Sequence, residues 1–169
     1  MALNSVLAMS AFAELSNALD LGSAKAPMSL NRSVTLGSGT GAGKADKVFS
    51  DRRTLAASAS EDLDLAGVLL DVFGSAITFV RIKGLFISAA AANTNNLVIG
   101  AAASNAWATL LNATGTLTLR PGATIGAMAG AADATAYAVT AGIGDQLKIA
   151  NSAGSTPVTY DIHIVGASA

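Results

Sequence analysis

Near its carboxyl end the chain reads Val158-Thr159-Tyr160-Asp161-Ile162-His163-Ile164, a stretch in which apolar and polar residues alternate strictly. Successive side chains of a β-strand point to opposite faces of the sheet, so this stretch is typical of a half-buried strand. The apolar set that begins at Val158 is predicted to face a core. The polar set, which includes Asp161 and His163, is predicted to face outward.

Shorter strand-like runs recur upstream at fairly even spacing. Strands are predicted over 62–65, 78–87, 97–99, 117–119 and 147–149. Turn-forming sequences such as Asn93-Thr94-Asn95-Asn96 and Arg120-Pro121-Gly122 separate them. A short helical turn carrying Trp107 is expected within 101–112, but no long helix separates the strands, which disfavours a parallel α/β sheet. The pattern predicts an all-β fold, a β-sandwich or jelly-roll-like domain over 51–169.

The N-terminal segment has a different spacing. An apolar residue recurs at every fourth position, at Leu3, Leu7, Ala11, Leu15 and Leu19. This repeat predicts an amphipathic helix that ends by Gly22. A helix this short is marginal in water by itself. It is therefore expected to pack on its own domain or, as an arm, on a neighbouring molecule.

The following region, residues 21–60, contains few large apolar side chains and includes a glycine-rich run from Gly37 to Gly43. Glycine loses much backbone entropy when it is ordered, so the run predicts an exposed loop within an extended arm or a loosely attached hairpin. We therefore divide the chain into an N-terminal helix and Gly-rich arm over 1–50 and a β-sandwich domain over 51–169. The arm is expected to mediate attachment, and the β domain to fold without it.

The composition is unusual for a lone soluble domain. Hydrophobic residues make up 51% of the 169 residues and charged residues only 12%, about half the usual charged fraction. Low charge predicts that neighbouring subunits of a homo-oligomer cover much of the surface, although an alanine-rich sequence from a GC-rich genome explains the same numbers equally well. The net charge of −1 predicts no nucleic-acid surface, and no apolar run approaches the roughly 18 residues of a membrane span. There is no cysteine, and therefore no disulfide framework.

The glycine-rich run invites a nucleotide-binding interpretation that its details do not support. A phosphate-binding loop of the Walker type centred on Gly43-Lys44 needs glycine and a hydroxyl residue where this chain has Ser38 and Ala45. A relaxed dinucleotide fingerprint is matched at Gly37, Gly39 and Ala42, with later acids at Glu61 and Asp62. That chemistry also needs a helix N-terminus aimed at the phosphates. Residues 47–53 do not resemble such a helix, so a flexible loop is predicted.

Two polar groups are candidates for chemistry. His163 is the only histidine, and Asp161 lies on the same predicted face, but no nucleophile or orienting group converges on them. Glu61, Asp62 and Asp64 carry oxygen ligands of the kind that Ca²⁺ prefers, yet their spacing is not that of an EF-hand loop. Both groups are expected to lie on solvated faces of strands. For His163, a position in an interface is the alternative.

The remaining candidates are weaker. Arg52 and Arg53 form too small a basic patch for nucleic acid, and Trp107 and Tyr137 are isolated aromatics expected in the core or an interface. The sequence therefore predicts no catalytic, cofactor-binding or metal-binding residues. It predicts no cofactor and no enzymatic activity.

Several phrases of the sequence resemble small virion-associated proteins of tailed bacteriophages. They are Asp46–Ala56, Glu61–Leu65, Asn93–Asn96 through Ala103–Asn105, Leu119–Gly122, Tyr137–Gly142 and Val158–Ile162. The resemblance covers most of the chain from about Leu19 onward. The resemblance implies a virion component. It rests on short segments of similar sequence and on no catalytic motif, so it assigns no functional residues.

A shell decorator needs a compact β module, a self-complementary apolar interface and an arm, and no active site. We therefore expect a capsid decoration (cement) protein that clamps neighbouring major capsid proteins, as a homotrimer at a threefold position. It would lie on the capsid exterior, after assembly in the cytoplasm of the host bacterium, with no nucleic-acid or membrane partner. The alternative is a tail- or fibre-associated protein that binds host carbohydrate. Only 5% of the residues are aromatic, which gives that alternative little support.

Overall fold

The computed structural model describes residues 2–169, and every helix or strand assigned in that range is a β-strand. The strands are β1 Ser5–Leu19, β2 Gly22–Ser38, β3 Lys44–Ala45, β4 Lys47–Leu55, β5 Ser60–Asp64, β6 Leu69–Leu70, β7 Ala76–Ile77, β8 Arg81–Ala89, β9 Leu97–Gly100, β10 Thr116–Leu119, β11 Thr124–Met128, β12 Tyr137–Ala138, β13 Gln146–Asn151 and β14 Val158–Ala167. The prediction of an all-β chain is confirmed. Across residues 2–169 no helix is long and apolar enough to cross a membrane.

Most of the strands form two antiparallel sheets. The first sheet has the order β10-β9-β13-β5, and the second has the order β11-β8-β14-β4, with the short β12 also paired to β8. The pairing is nested, because β4 pairs with β14, β5 with β13, β8 with β11, and β9 with β10. The strand that is clearest in the sequence, β14, therefore lies inside its sheet, between β4 and β8.

One hydrophobic core is shared by the two sheets. Leu63, Ile99 and Ile149 come from the first sheet, and Ile87 and Ile162 from the second. The apolar residues of β14 from Val158 to Ile164 are each at most 1% exposed, and the polar residues between them lie on the outer face. The predicted alternation of this strand is confirmed, and the two facing sheets are consistent with a β-sandwich.

The predicted N-terminal helix is wrong. Residues Ser5–Leu19 form strand β1, which pairs along its whole length with β2 in an antiparallel hairpin. Four is a multiple of two, so residues spaced by four share one face of a strand as well as of a helix. The helical turn expected around Trp107 is also wrong. That segment is irregular, and the main-chain N–H of Trp107 donates to the Gln146 carbonyl at 2.9 Å.

The hairpin leads directly into the sandwich. Strand β4 begins at Lys47, inside the range assigned to the arm, and contributes Phe49 to the main core. We call the β1–β2 hairpin, Ser5–Ser38, the arm. It is attached to the sandwich at the end where Ser5 pairs with Leu36, and its tip is the Asp20-Leu21 connection.

Candidate functional site: the hairpin arm

The register of the arm separates its side chains into two unlike faces. Directly paired residues of an antiparallel hairpin share a face. The face we call the apolar arm face carries Leu7, Met9, Ala11, Ala13, Leu15 and Leu19 from β1, and Ala24, Ala26, Met28, Leu30, Val34 and Leu36 from β2. Half of the residues on the opposite face are Ser, Thr or Asn, with an ion pair of 3.0 Å between Glu14 and Lys25. That face also carries two exposed apolar side chains, Val6 and Phe12. The arm is therefore amphipathic, and Arg32 is the only charged residue on its apolar face.

At its base the apolar arm face is covered by the sandwich. Leu7 and Leu36 are 3% and 1% exposed and form a second, smaller core with Ala45 and Val165. Gly84 of β8 makes room for this contact, since a Cβ there would lie 2.6 Å from a methyl carbon of Leu7. The base of the arm is thus fixed by packing against the outer face of the second sheet.

Beyond the base the apolar arm face is uncovered. Leu15 is 70% exposed, Met28 59% and Leu30 53%, and at the tip Leu21 is fully exposed. A single hairpin is marginally stable in water, and large exposed apolar patches mark interaction sites. The fold of a single chain does not explain why the arm exposes this apolar surface. We therefore take the arm as the candidate functional site.

The glycine-rich run lies at the base of the arm. The Gly37 N–H donates to the Gly43 carbonyl at 3.0 Å, and Gly39 and Gly43 adopt positive φ angles of 130° and 63°. The chain then enters strand β3 at Lys44. The helix N-terminus that a dinucleotide phosphate needs is replaced by a strand, and the run closes a turn between β2 and β3.

The predicted acidic group is divided among different partners. Glu61 accepts hydrogen bonds from the Tyr160 hydroxyl at 2.7 Å and from Arg53 at 2.6 Å. Asp64 accepts from a main-chain N–H in the turn that follows it, and Asp62 is paired in register with Lys148. Within residues 2–169 no group of three His, Asp or Glu side chains is placed to hold a metal ion.

The two polar candidates on β14, Asp161 and His163, do not bond to each other. Asp161 accepts two hydrogen bonds from Arg52, at 2.6 and 2.9 Å, and these bonds lower the pKa of its carboxyl group. His163 is paired in register with Ser50 and Phe86. Partial burial of its ring lowers the pKa of His163 below the usual value. The two side chains therefore have separate environments on the outer face of the second sheet.

The two aromatic candidates are neighbours. Trp107 and Tyr137 pack edge to face, with ring centroids 6.4 Å apart, and the indole N–H of Trp107 donates to the Ala138 carbonyl at 2.8 Å. Trp107 is buried in the core, which was one of the two positions predicted for it. A cavity of about 220 Å³ lies beside it between the edge strands β10 and β11, lined almost wholly by apolar side chains such as Leu110 and Ile125.

Two groups of buried polar side chains had no distinguishing signal in the sequence. The side chains of Asn95 and Asn151 bond to each other at 3.0 Å and fasten the loops around them through main-chain carbonyls. Lys83, which is 1% exposed, donates to the Asp133 carbonyl at 2.6 Å. Burial lowers the pKa of Lys83. A single Asn or Lys in a strand-rich sequence gives no signal that distinguishes it from a solvated residue.

Comparison of the chain with protein-family models, with curated proteins and with solved structures found no match.

Proposed function

We propose that this chain is a non-enzymatic structural protein of a tailed-phage particle, a capsid decoration (cement) protein that clamps neighbouring major capsid proteins and stabilises the head. The observation that carries the proposal is the arm, which projects from the sandwich with an uncovered apolar face. A protein with such a surface is suited to an assembled state, because water disfavours apolar area of this extent. The segments that resemble virion-associated phage proteins favour a virion as the assembly.

The sandwich supplies a rigid body for this role. In its nested pairing the first strand pairs with the last, the second with the one before the last, and so on. This is the strand order of a jelly roll, and we propose that fold for the eight strands of the two sheets other than β12. Jelly rolls recur in viral capsid proteins and in lectins. Fold alone does not assign function, so the jelly roll supports the proposal only together with the arm.

The arm acts as a preformed clamp. Strand β1 has 15 residues, so at about 3.3 Å per residue the arm is roughly 50 Å long. Most of this length lies beyond the packed base at Leu7, and we propose that it crosses a boundary between capsid subunits. Pairing of β1 with β2 restricts the backbone of the arm, so docking costs less conformational entropy than ordering an unpaired arm would. We propose that its apolar face lies on the capsid exterior, with three copies of the protein around a threefold position.

Binding to undecorated capsids tests this function. The variant Leu15→Ser, Met28→Ser, Leu30→Ser removes apolar area from the apolar arm face, and we expect it to lose capsid binding in co-sedimentation. The matched control is Phe12→Ser, which removes an equally exposed side chain from the opposite face and is expected to bind as the wild type does. Equal binding of the triple variant and the wild type would refute the role of the arm.

The alternative role, a tail- or fibre-associated protein that binds host carbohydrate, has less support. A sugar platform needs exposed aromatic rings beside polar groups. Trp107 is buried against Tyr137. Of the two exposed rings in residues 2–169, Phe12 and Phe73, only Phe73 lies in a groove with polar side chains. A glycan-array signal in the absence of capsid binding would favour this alternative over decoration.

A further inference from the structure

We infer that the cavity beside Trp107 is a binding site for one small, uncharged apolar molecule with the bulk of a substituted ring or two fused rings. We call it the edge cavity, because it lies between β10 and β11, each of which is an edge strand of its sheet. The residues that line it belong to the sandwich and not to the arm. The inference therefore goes beyond the proposed function and does not rest on it.

Both sheets contribute walls to the edge cavity. Ile99 and Leu147 come from the first sheet, and Leu85 and Ile125 from the second. Ile99, Leu147 and Leu85 are each at most 3% exposed and belong to the main core. Close packing holds core side chains in place. The walls of the cavity are therefore formed before any ligand arrives.

The connection between β9 and β10 covers the edge cavity. Leu110 and Leu111 of this connection line it. Hydrogen bonds from the indole N–H of Trp107 and the hydroxyl of Thr109 to the Ala138 carbonyl, at 2.8 and 3.0 Å, fasten the connection to β12. The cover is thus tied to the second sheet, and it leaves the space beneath it unfilled.

The lining of the edge cavity selects an uncharged, apolar occupant. Within residues 2–169 no charged side chain lines it, and the indole N–H of Trp107 is already donated to the Ala138 carbonyl. A charged or strongly polar ligand would lose its hydration there without gaining a partner. Water gains little as well, because a buried water needs several polar partners. An apolar molecule instead leaves water and fills space that the core leaves open.

The volume of the edge cavity sets the size of its occupant. The cavity measures about 220 Å³. An engineered protein cavity of about 150 Å³, lined by Leu, Ile and Phe, stays dry and binds benzene. A substituted ring or two fused rings therefore fits the larger space here. Such a molecule can enter beside β10, because Leu117 lines the cavity and is 36% exposed.

Titration with p-xylene tests the site, because Trp107 is the only tryptophan of the chain and lines the cavity. We expect a saturable change in Trp107 fluorescence. We also expect a Tm that rises with the p-xylene concentration, since the ligand binds the folded state. The matched ligand is p-methylbenzoate, in which a carboxylate replaces one methyl group. It is expected to bind at least about tenfold more weakly, because the cavity offers its charge no partner.

A variant that fills the edge cavity locates the site. Ala127 is paired in register with Leu85 and lines the cavity, so Ala127→Leu occupies part of the space and is expected to weaken p-xylene binding at least about tenfold. Ala113→Leu makes the same change at an exposed position outside the lining, and it should bind as the wild type does. The comparison of the two ligands needs no variant, so it decides the question even if Ala127→Leu does not fold.

Several outcomes would overturn the inference. They are the absence of a saturable signal with p-xylene, equal binding of the two ligands, and equal p-xylene binding by the wild type and a folded Ala127→Leu protein. A fall in oligomer mass on addition of p-xylene would show that a side chain of a neighbouring copy occupies the edge cavity, which also contradicts the inference. None of these outcomes bears on capsid binding by the arm, which the variants of the apolar arm face test separately.

Discussion

Glu61 links the two sheets through a single carboxylate. It lies on β5 of the first sheet and receives hydrogen bonds from Tyr160 and Arg53, which lie on β14 and β4 of the second. Burial, reinforced by the hydrogen bond to Glu61, raises the pKa of the Tyr160 hydroxyl well above its usual value. Burial alone would lower the pKa of Arg53, but its bond with Glu61 and the nearby negative charges raise it overall. Tyr160 therefore stays protonated although it is fully buried, and Arg53 stays charged although it is partly buried.

The Tyr160→Phe variant tests the strength of this link. It removes one hydrogen bond to a charged acceptor, and we expect a loss of about 2 kcal/mol in the free energy of unfolding. Thermal unfolding followed by circular dichroism measures the change. The matched control is Tyr137→Phe, which changes a half-buried ring that packs edge to face on Trp107 and is expected to cost under about 1 kcal/mol. Equal losses in the two variants would contradict the role of Glu61.

His163 predicts a pH dependence of stability. Because burial lowers the pKa of the folded ring, the unfolded chain takes up the proton first as the pH falls. The stabilisation is complete above the unfolded pKa of about 6.5 and is lost as the pH falls through the lower pKa of the folded state. Urea unfolding from pH 8 to pH 5 is expected to show a steeper loss for the wild type than for His163→Gln. Parallel profiles would rule out this linkage.

At the scale of the elements, the arm separates what one sequence predicts from what it does not. The alternation in β14 was interpreted correctly because a strict period of two has no helical counterpart. The repeat of four in β1 fits a helix and a strand equally, and helix was the wrong choice. The signal that could have decided was the even spacing of Met28, Leu30, Val34 and Leu36 in β2, which offers a partner strand but not a partner helix.

The Leu7→Ala variant tests whether the base of the arm is held by packing. Leu7 fills the space above Gly84, and we expect the truncation to destabilise the docked base by about 2 kcal/mol, at the low end for a buried leucine. Hydrogen exchange of the arm amides should then accelerate about thirtyfold, while the main core is little changed. Leu15→Ala, on the same face but exposed, is the control. If the variant instead speeds exchange throughout the sandwich, the arm base belongs to the main core.

At the scale of the whole molecule, the polar contacts that fasten the sandwich join residues far apart in the chain. Tyr160 and Glu61 are 99 positions apart, and Asn95 and Asn151 are 56 apart. Composition and periodicity define which residues are buried, but not which buried residues meet, because pairing across sheets depends on the topology as a whole. For the same reason, the sequence did not reveal the surface groove that Leu3, Lys47 and Phe73 line, which brings together the N-terminus, β4 and the β6–β7 connection.

Assembly predicts that the thermal stability of the protein depends on its concentration. An interaction that exists only between folded chains stabilises the folded state by mass action. We expect light scattering at micromolar concentration to give three times the chain mass of 16.7 kDa, and a hundredfold increase in concentration to raise Tm by several degrees. A variant in which a short Gly-Ser turn replaces residues 10–32 keeps the packed base but loses the tip and the exposed apolar face. It should be monomeric, with a Tm that is independent of concentration and a circular dichroism spectrum that is still β-rich. A wild-type monomer at all concentrations would contradict the trimer, and an unfolded shortened variant would show that the sandwich needs the arm to fold.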